Sequence, residues 1–217
     1  MKQLTFERYV TGFLELVDKY RQPNMVVAEI GTYDGSTTGK VAPIVKEENG
    51  KYIAVDWFIG NETIPPSTPG NSHGFDEEQH DIVLEDFKYN IKNAECDNIV
   101  EIIDAPSLEA VNQIKDKSLD ICFIDADHRY SAVKADILAY IPKIKDGGIL
   151  SGHDLNDGIE AYFNTWSDDE LEQDMVGVGH AGVAQAVGEI VGFDKITKFP
   201  NEVWAVRINE NREFVKL

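Results

Sequence analysis

Met25-Val26-Val27-Ala28-Glu29-Ile30-Gly31-Thr32-Tyr33-Asp34-Gly35-Ser36-Thr37-Thr38 is the stretch around which the chain arranges itself. It begins as an apolar run, Met25 to Ile30, interrupted only by Glu29. It then turns through Gly31 and Gly35 toward a helix starting at Ser36 or Thr37. A buried strand ending in a glycine turn at a helix N-terminus is a ligand-binding device. Glycine lets backbone approach a ligand, and the first turn of a helix has N–H groups with no intrahelical partner. The bland alternative is a tight strand-to-helix connection, because turns recruit glycine anyway. The spacing Glu-x-Gly-x-x-x-Gly is not the Gly-x-Gly-x-x-Gly of dinucleotide folds. Nor is it a phosphate loop, since no Gly-Lys-Ser/Thr follows.

Moving outward, Lys51 to Val55 is strand-like and ends in Asp56, where nucleoside-binding α/β folds hold ribose hydroxyls. A third strand, Asn98–Ile103, ends in Asp104-Ala105-Pro106-Ser107, with Ser107 read as the cap of a helix reaching Ile114. A fourth, Leu119–Ile124, ends in Asp125-Ala126-Asp127-His128. After an Asp146-Gly147-Gly148 turn, a short fifth strand, Ile149–Ser151, ends in Gly152-His153-Asp154. Apolar spacing predicts helices over Thr5–Tyr20, Thr37–Glu47, Asp76–Ala94, Tyr130–Ile144 and Val183–Val191, and a terminal hairpin over 196–208. This alternation implies a parallel sheet with helices on both faces, its strand C-termini along one edge. Glu29-Gly31, Asp56, Asp104, Asp125 and Asp154 then share that edge, where open α/β sheets bind ligands. The loop from 57 to 75, rich in proline and glycine, follows Asp56 directly and reads as a substrate lid or a disordered insertion.

The 217 residues suit one domain, and 42% apolar composition suffices for a core. No apolar run spans a membrane, and the first residues lack the apolar stretch of a signal peptide, so a cytoplasmic protein is expected. A balance of 20 basic against 39 acidic residues, net −19, opposes binding to a nucleic acid backbone. Cys122 reads as core and Cys96 as a loop residue, with no metal spacing between them.

The strings Glu-Ile-Gly-Thr-Tyr-Asp-Gly-Ser-Thr, Phe-Ile-Asp-Ala-Asp-His-Arg-Tyr and Asp-Gly-Gly-Ile-Leu-Ser-Gly-His-Asp resemble class I S-adenosylmethionine-dependent methyltransferases. The subgroup they are similar to includes the caffeoyl-CoA and macrocin O-methyltransferases and the cephalosporin hydroxylase-like proteins. The resemblance runs from about Met25 to Arg207. It implies a Rossmann-like α/β sandwich whose seven-stranded sheet has the order 3-2-1-4-5-7-6, with strand 7 antiparallel. It also implies contacts with S-adenosylmethionine. Glu29, Gly31, Thr32, Tyr33, Gly35 and Ser36 would surround the methionine moiety and the turn. Asp56 would take the ribose and Trp57 the adenine face, unless Trp57 is a structural aromatic. Ala105 and Ser107 would meet the adenine amino group, and Asp125 the sulfonium.

Asp125, Asp127, His128, His153 and Asp154 form the chemical cluster. Methyl transfer to an alcohol needs the hydroxyl deprotonated and in line, by a divalent metal or by a side-chain base. In the metal-dependent relatives one Asp follows the fourth strand and an Asp-Asn or Glu-Asp pair follows the fifth. Asp125 and Asp154 match two of those ligands, for Mg²⁺ or another divalent ion. Leu155 stands where the third would be, and Asn156 could serve only by a register change. The alternative makes Asp127 and Asp154 caps, with His128 or His153 as the base. His180, ahead of Gly182-Val183, could reach the same pocket. The expected function is O-methylation of a small-molecule or sugar hydroxyl. A non-catalytic S-adenosylmethionine-binding module and hydroxylase-like chemistry are the alternatives. The expected partner is the small-molecule acceptor, with neither nucleic acid nor membrane, and a homodimer is left open.

Overall fold

The computed structural model describes residues 3–60, 80–177 and 179–217. Most of the expected loop at 57–75, and the start of the helix expected from Asp76, lie outside these residues. At the centre stands β1 (Val26–Ile30), all but its first residue buried. It pairs in parallel with β2 (Lys51–Asp56) on one side and β4 (Leu119–Ile124) on the other. β3 (Val100–Asp104) extends the sheet beyond β2, and β5 (Ile144–Gly152) beyond β4, both parallel. β7 (Val203–Ile208) runs antiparallel to β5 and to the edge strand β6 (Thr197–Phe199). The order is β3-β2-β1-β4-β5-β7-β6, the expected one. The expectation of seven strands needs one correction, since an eighth, β8 (Phe214–Val215), pairs with the end of β7 beyond the reach of β6.

Strand residues alternate between two cores, as period-2 geometry requires. Ala28, Ile30, Cys122 and Ile124 face a core with Val133, Ile137, Val183 and Val187. Those last four come from α5 (Tyr130–Tyr140) and α7 (Ala181–Ile190). Val27, Ile121 and Phe123 face the other core, against Phe13, Val41 and Phe87. These belong to α1 (Gln3–Lys19), α2 (Thr38–Glu47) and α3 (His80–Asn93). Phe13 and Phe123 stack with ring centroids 3.9 Å apart, and burial of each such ring contributes roughly 1.5–3 kcal/mol. Gly12 allows α1 this close, since a Cβ there would stand 2.0 Å from the Pro200 carbonyl oxygen.

Three local readings are corrected. The Asp146-Gly147-Gly148 turn lies inside β5: Gly147 takes φ 83°, and a register shift opposite Leu119–Ile121 absorbs the irregularity, so the strand passes through. Ser107 is the first residue of α4 (Ser107–Ala110) and not its cap; Pro106 holds the cap position, and the Ser107 hydroxyl donates to Asp136 Oδ1 at 2.6 Å. Cys96 lies, as expected, in the loop after α3, where it is fully buried. α4 and α5 also end earlier than periodicity implies, each continuing as a 3-10 turn, the second containing Pro142.

Candidate active site at the carboxyl ends of the strands

The glycine turn after β1 is built by contacts that exclude side chains. Gly31 has φ 89°, and a Cβ there would fall 2.1 Å from the carbonyl oxygen of Asp125. The turn therefore lies directly on the residue that ends β4. Asp56, at the end of β2, holds the turn from the other side. Its Oδ2 accepts the N–H groups of Thr32 and Tyr33, each at 2.7 Å, and its Oδ1 accepts that of Phe58 at 2.8 Å. Burial pushes the Asp56 carboxyl up, against these amide bonds. Thr32 is buried, and its hydroxyl oxygen has no partner among the described residues.

Glu29 lies beneath the turn. It is 1% exposed, and its Oε2 accepts the hydroxyls of Thr38 and Tyr52, each at 2.6 Å. Burial pushes its carboxyl up to about 8, against the pull of these two bonds. Glu29 thus ties β1 to β2 and to the start of α2. Trp57 donates its indole N–H to Gly60 O, and Ala105 N–H donates to Asp56 O, carrying the β2–β3 ladder past the strand ends.

Imidazoles and carboxylates converge beyond β4 and β5. Asp154, 9% exposed and in the left-handed region at φ 63°, stands at their centre. His128 Nε2 is 3.0 Å from its Oδ2; His153 Nδ1 and His180 Nε2 are 3.0 and 3.6 Å from its Oδ1. Asp125 Oδ1 lies 3.8 Å from His153 Nδ1. The sequence-predicted residues His128, His153, Asp154 and Asp125 are therefore brought together. Asp127 is not, because it pairs with Arg129 at the entry to α5.

Two further members come from late in the chain. Asp174 Oδ1 lies 2.7 Å from His128 Nδ1, and the Asp174 carbonyl lies 2.7 Å from His180 Nδ1. Nothing in the sequence separates Asp174 from its acidic neighbours Asp168, Asp169, Glu170 and Glu172. For His180 the signal was the flanking Gly179 and Gly182. A Cβ on Gly182 would stand 2.3 Å from His128 O, and one on Gly179 2.6 Å from Asn156 Oδ1. Those glycines let the start of α7 touch the loops after β4 and β5, so the His128 and His180 ring centroids stand 4.2 Å apart. Ion pairing of Lys134 with Glu189 at 2.7 Å holds α5 to α7.

The electrostatics follow from burial against charge pairing. Burial opposes the His128 charge, but Asp154 and Asp174 outweigh it and hold the imidazolium well above its ordinary range. Burial likewise opposes the His153 charge, yet Asp125 and Asp154 raise it to about 9. Burial would raise Asp154, but His128 and His153 hold it well below the usual carboxylate range. Asp125 is raised, burial exceeding the help from His153. His128 and His153 thus stand positive beside the ionised carboxylates of Asp154 and Asp174. Two open surface grooves, about 430 Å³ beside Lys19 and Phe199 and about 380 Å³ beside Leu155 and Phe193, contain none of these groups. No helix among the described residues is long and apolar enough to cross a membrane.

A strand order of 3-2-1-4-5-7-6 with β7 antiparallel, a glycine turn after β1 and an acid at the end of β2 define the class I methyltransferase fold. Residues 28–155, more than half of the chain, match the family model described as "Methyltransferase domain", and the chain belongs to that family. Solved structures of the same fold include cofactor-bound Rv0187 from MTB, 20% identical with TM-score 0.59, the match covering 89% of this chain and 76% of that one. An O-methyltransferase from Bacillus cereus in complex with SAH is 18% identical, with TM-score 0.57 and coverage of 94% and 79%. TomG from Streptomyces achromogenes, an O-methyltransferase of tomaymycin synthesis in complex with SAM, is 14% identical, with TM-score 0.56 and coverage of 89% and 76%. Comparison with curated protein sequences finds no match.

Proposed function

We propose that this chain is an S-adenosylmethionine-dependent O-methyltransferase acting on a hydroxyl of a small molecule or sugar. The observation that carries the reading is the convergence of His128, His153, Asp154 and Asp125 at the ends of β4 and β5, with the glycine turn packed on the backbone of Asp125. The residues present fit the cofactor. Gly31 and Gly35 keep the turn free of side chains, the buried Thr32 hydroxyl has an unused hydrogen-bonding capacity, and the Asp56 carboxylate retains lone pairs for ribose hydroxyls. Tyr33 and Ser36 would border the methionine end of the cofactor, and Trp57 would cover the adenine. Ala105 and Ser107 would meet the base through backbone, because the Ser107 hydroxyl is taken by Asp136. Asp125 pairs with the sulfonium. When bound, the cofactor supplies an electrophilic methyl group.

The chain's own part is to orient the acceptor and to favour its oxyanion. His128 and His153, held positive, stabilise negative charge as it develops on the acceptor oxygen; the ionised Asp154 fixes both rings and is the group left to take up the proton that the hydroxyl loses. The all-oxygen metal site of the relatives is not completed here. Leu155 is buried with its N–H on Glu202 O; Asn156 donates its amide N–H to Glu202 Oε1 at 2.5 Å, and its buried Oδ1, without a partner among the described residues, lies against Gly179. No step is therefore assigned to Mg²⁺.

A screen with methyl-labelled cofactor against sugar, phenol and carboxylate acceptors tests the reading. Label on an ether oxygen of a sugar or phenol is expected. Transfer only to a carboxylate or an amine, or absence of cofactor binding by calorimetry, would replace it.

A further inference from the structure

We propose that His128, Asp154 and His180 form a binding site for a divalent transition-metal ion. One ligand atom from each lies within 4.8 Å of the others, so the three donors already converge on one point. Both imidazoles are aimed by their second nitrogen. His128 Nδ1 is bonded to the Asp174 carboxylate and His180 Nδ1 to the Asp174 carbonyl, each at 2.7 Å. Each Nε2 is thereby turned toward Asp154, at 3.0 Å from Oδ2 and 3.6 Å from Oδ1. A ring nitrogen held by a carboxylate or carbonyl, with the other presented inward, is the arrangement that orients histidine toward a metal and fixes its tautomer. One residue, Asp174, does this for both rings.

The rest of the fold is shaped to keep the donors together. Gly182 leaves no room for a side chain where α7 starts, a Cβ there meeting His128 O and Tyr130 N at 2.3 Å, and this contact brings His180 onto the loop that carries His128. The side chains of Asp154 and His180 are 12% and 10% exposed, so the donors are largely withdrawn from water while His128, at 24%, keeps a side open. Two nitrogens and a carboxylate favour Mn²⁺, Fe²⁺, Co²⁺ or Zn²⁺ over Mg²⁺, which prefers oxygen donors. The second possible set, Asp125, His153 and Asp154, shares only Asp154 and holds one nitrogen.

The site rests on and deepens the O-methyltransferase reading: with the ion bound, His128 Nε2 is a neutral ligand and the cation takes over the positive charge assigned above to that imidazolium, but the test needs neither cofactor nor acceptor. The full chain is stripped with chelator and titrated separately with Mn²⁺, Co²⁺, Zn²⁺ and Mg²⁺ by calorimetry, and the Mn²⁺ form is studied by pulsed electron paramagnetic resonance. One equivalent of Mn²⁺, Co²⁺ or Zn²⁺ is expected, with Mg²⁺ at least about tenfold weaker and ¹⁴N coupling from two imidazoles. His180→Ala should remove one nitrogen coupling, and Asp174→Asn should weaken binding about 10–100-fold with both couplings retained. Circular dichroism identifies any variant that fails to fold, and the wild-type couplings then decide alone. Binding without ¹⁴N coupling, binding unaffected by His180→Ala, a preference for Mg²⁺, or no binding at all would each overturn the proposal, whatever the acceptor screen finds.

Discussion

Glu29 shows how one buried acid links folding to pH. Its folded-state carboxyl lies at about 8 against an ordinary 4.5, so between those values the native chain holds a proton that the unfolded chain has released. The stability from this proton is complete below about pH 4.5 and is lost as pH rises through 8. Glu29→Gln keeps an acceptor for Thr38 and Tyr52 but has no proton to lose. Urea unfolding at several pH values should therefore show a decline across this window that is about 2–5 kcal/mol steeper in the wild type than in the variant. Equal slopes would mean that Glu29 is ionised in the folded protein. Asp56 presents a different balance, because it braces the turn before it meets any ribose. Asp56→Ala should weaken S-adenosylmethionine binding by about 1.5–3 kcal/mol in calorimetry, the cost of losing hydrogen bonds to a charged acceptor. Asp154→Asn removes the charge that both imidazoliums need. On whichever acceptor the screen yields, turnover should fall about 100-fold or more while cofactor affinity stays within about threefold, because the proposed function assigns Asp154 to the acceptor and not to the cofactor. A variant with normal turnover would remove Asp154 from the chemistry.

Helices place the site through glycines, and two of the helical glycines, Gly182 and Gly39, separate packing from propensity. In α7, a Cβ on Gly182 would meet His128 O and Tyr130 N, each at 2.3 Å, both rigid backbone. Gly182→Ala should cost about 1–3 kcal/mol in unfolding experiments, and it should displace His180 from His128. In α2, a Cβ on Gly39 would meet Asn90 O at 3.4 Å, an ordinary contact. Gly39→Ala should be neutral or stabilising by up to about 1 kcal/mol, because alanine loses less entropy in a helix. If both substitutions behaved alike, the approach of α7 to the β4 loop would not be the reason for Gly182.

Across the whole molecule, a net charge of −19 sets a general repulsion against local pairing such as Arg21 with Glu47 and Glu48. Raising sodium chloride from about 10 to 300 mM should raise the thermal midpoint, since screening weakens repulsion among exposed charges more than it weakens buried pairs. Saturating cofactor should raise it further. At a free concentration about 100 times Kd the folded state gains about 2.7 kcal/mol, a gain absent when the ligand does not bind.

Much of this architecture was legible in the linear chain because its signals are local. Apolar runs ending in Gly31, Asp56, Asp104, Asp125 and His153 mark parallel strands, and right-handed crossovers then bring those ends to one edge without any knowledge of packing. The glycine turn and the meeting of Asp125 with His128, His153 and Asp154 follow from that alone, whereas the strand order was implied only by the resemblance to the methyltransferases. What the line of residues could not express is contact between segments joined by no repeat or period. Asp174 is one acid among many until the chain folds its side chain onto His128, 46 residues away. No local pattern announces that Glu29 takes the hydroxyls of Thr38 and Tyr52, and Ser107 looks like a cap until Asp136 takes its hydroxyl. The Asp146-Gly147-Gly148 turn becomes strand because β4 offers a ladder on which a bulge can be absorbed. Local propensity decides which elements form. The partner of a buried polar group is decided only when tertiary packing excludes water and leaves that group one neighbour to bind.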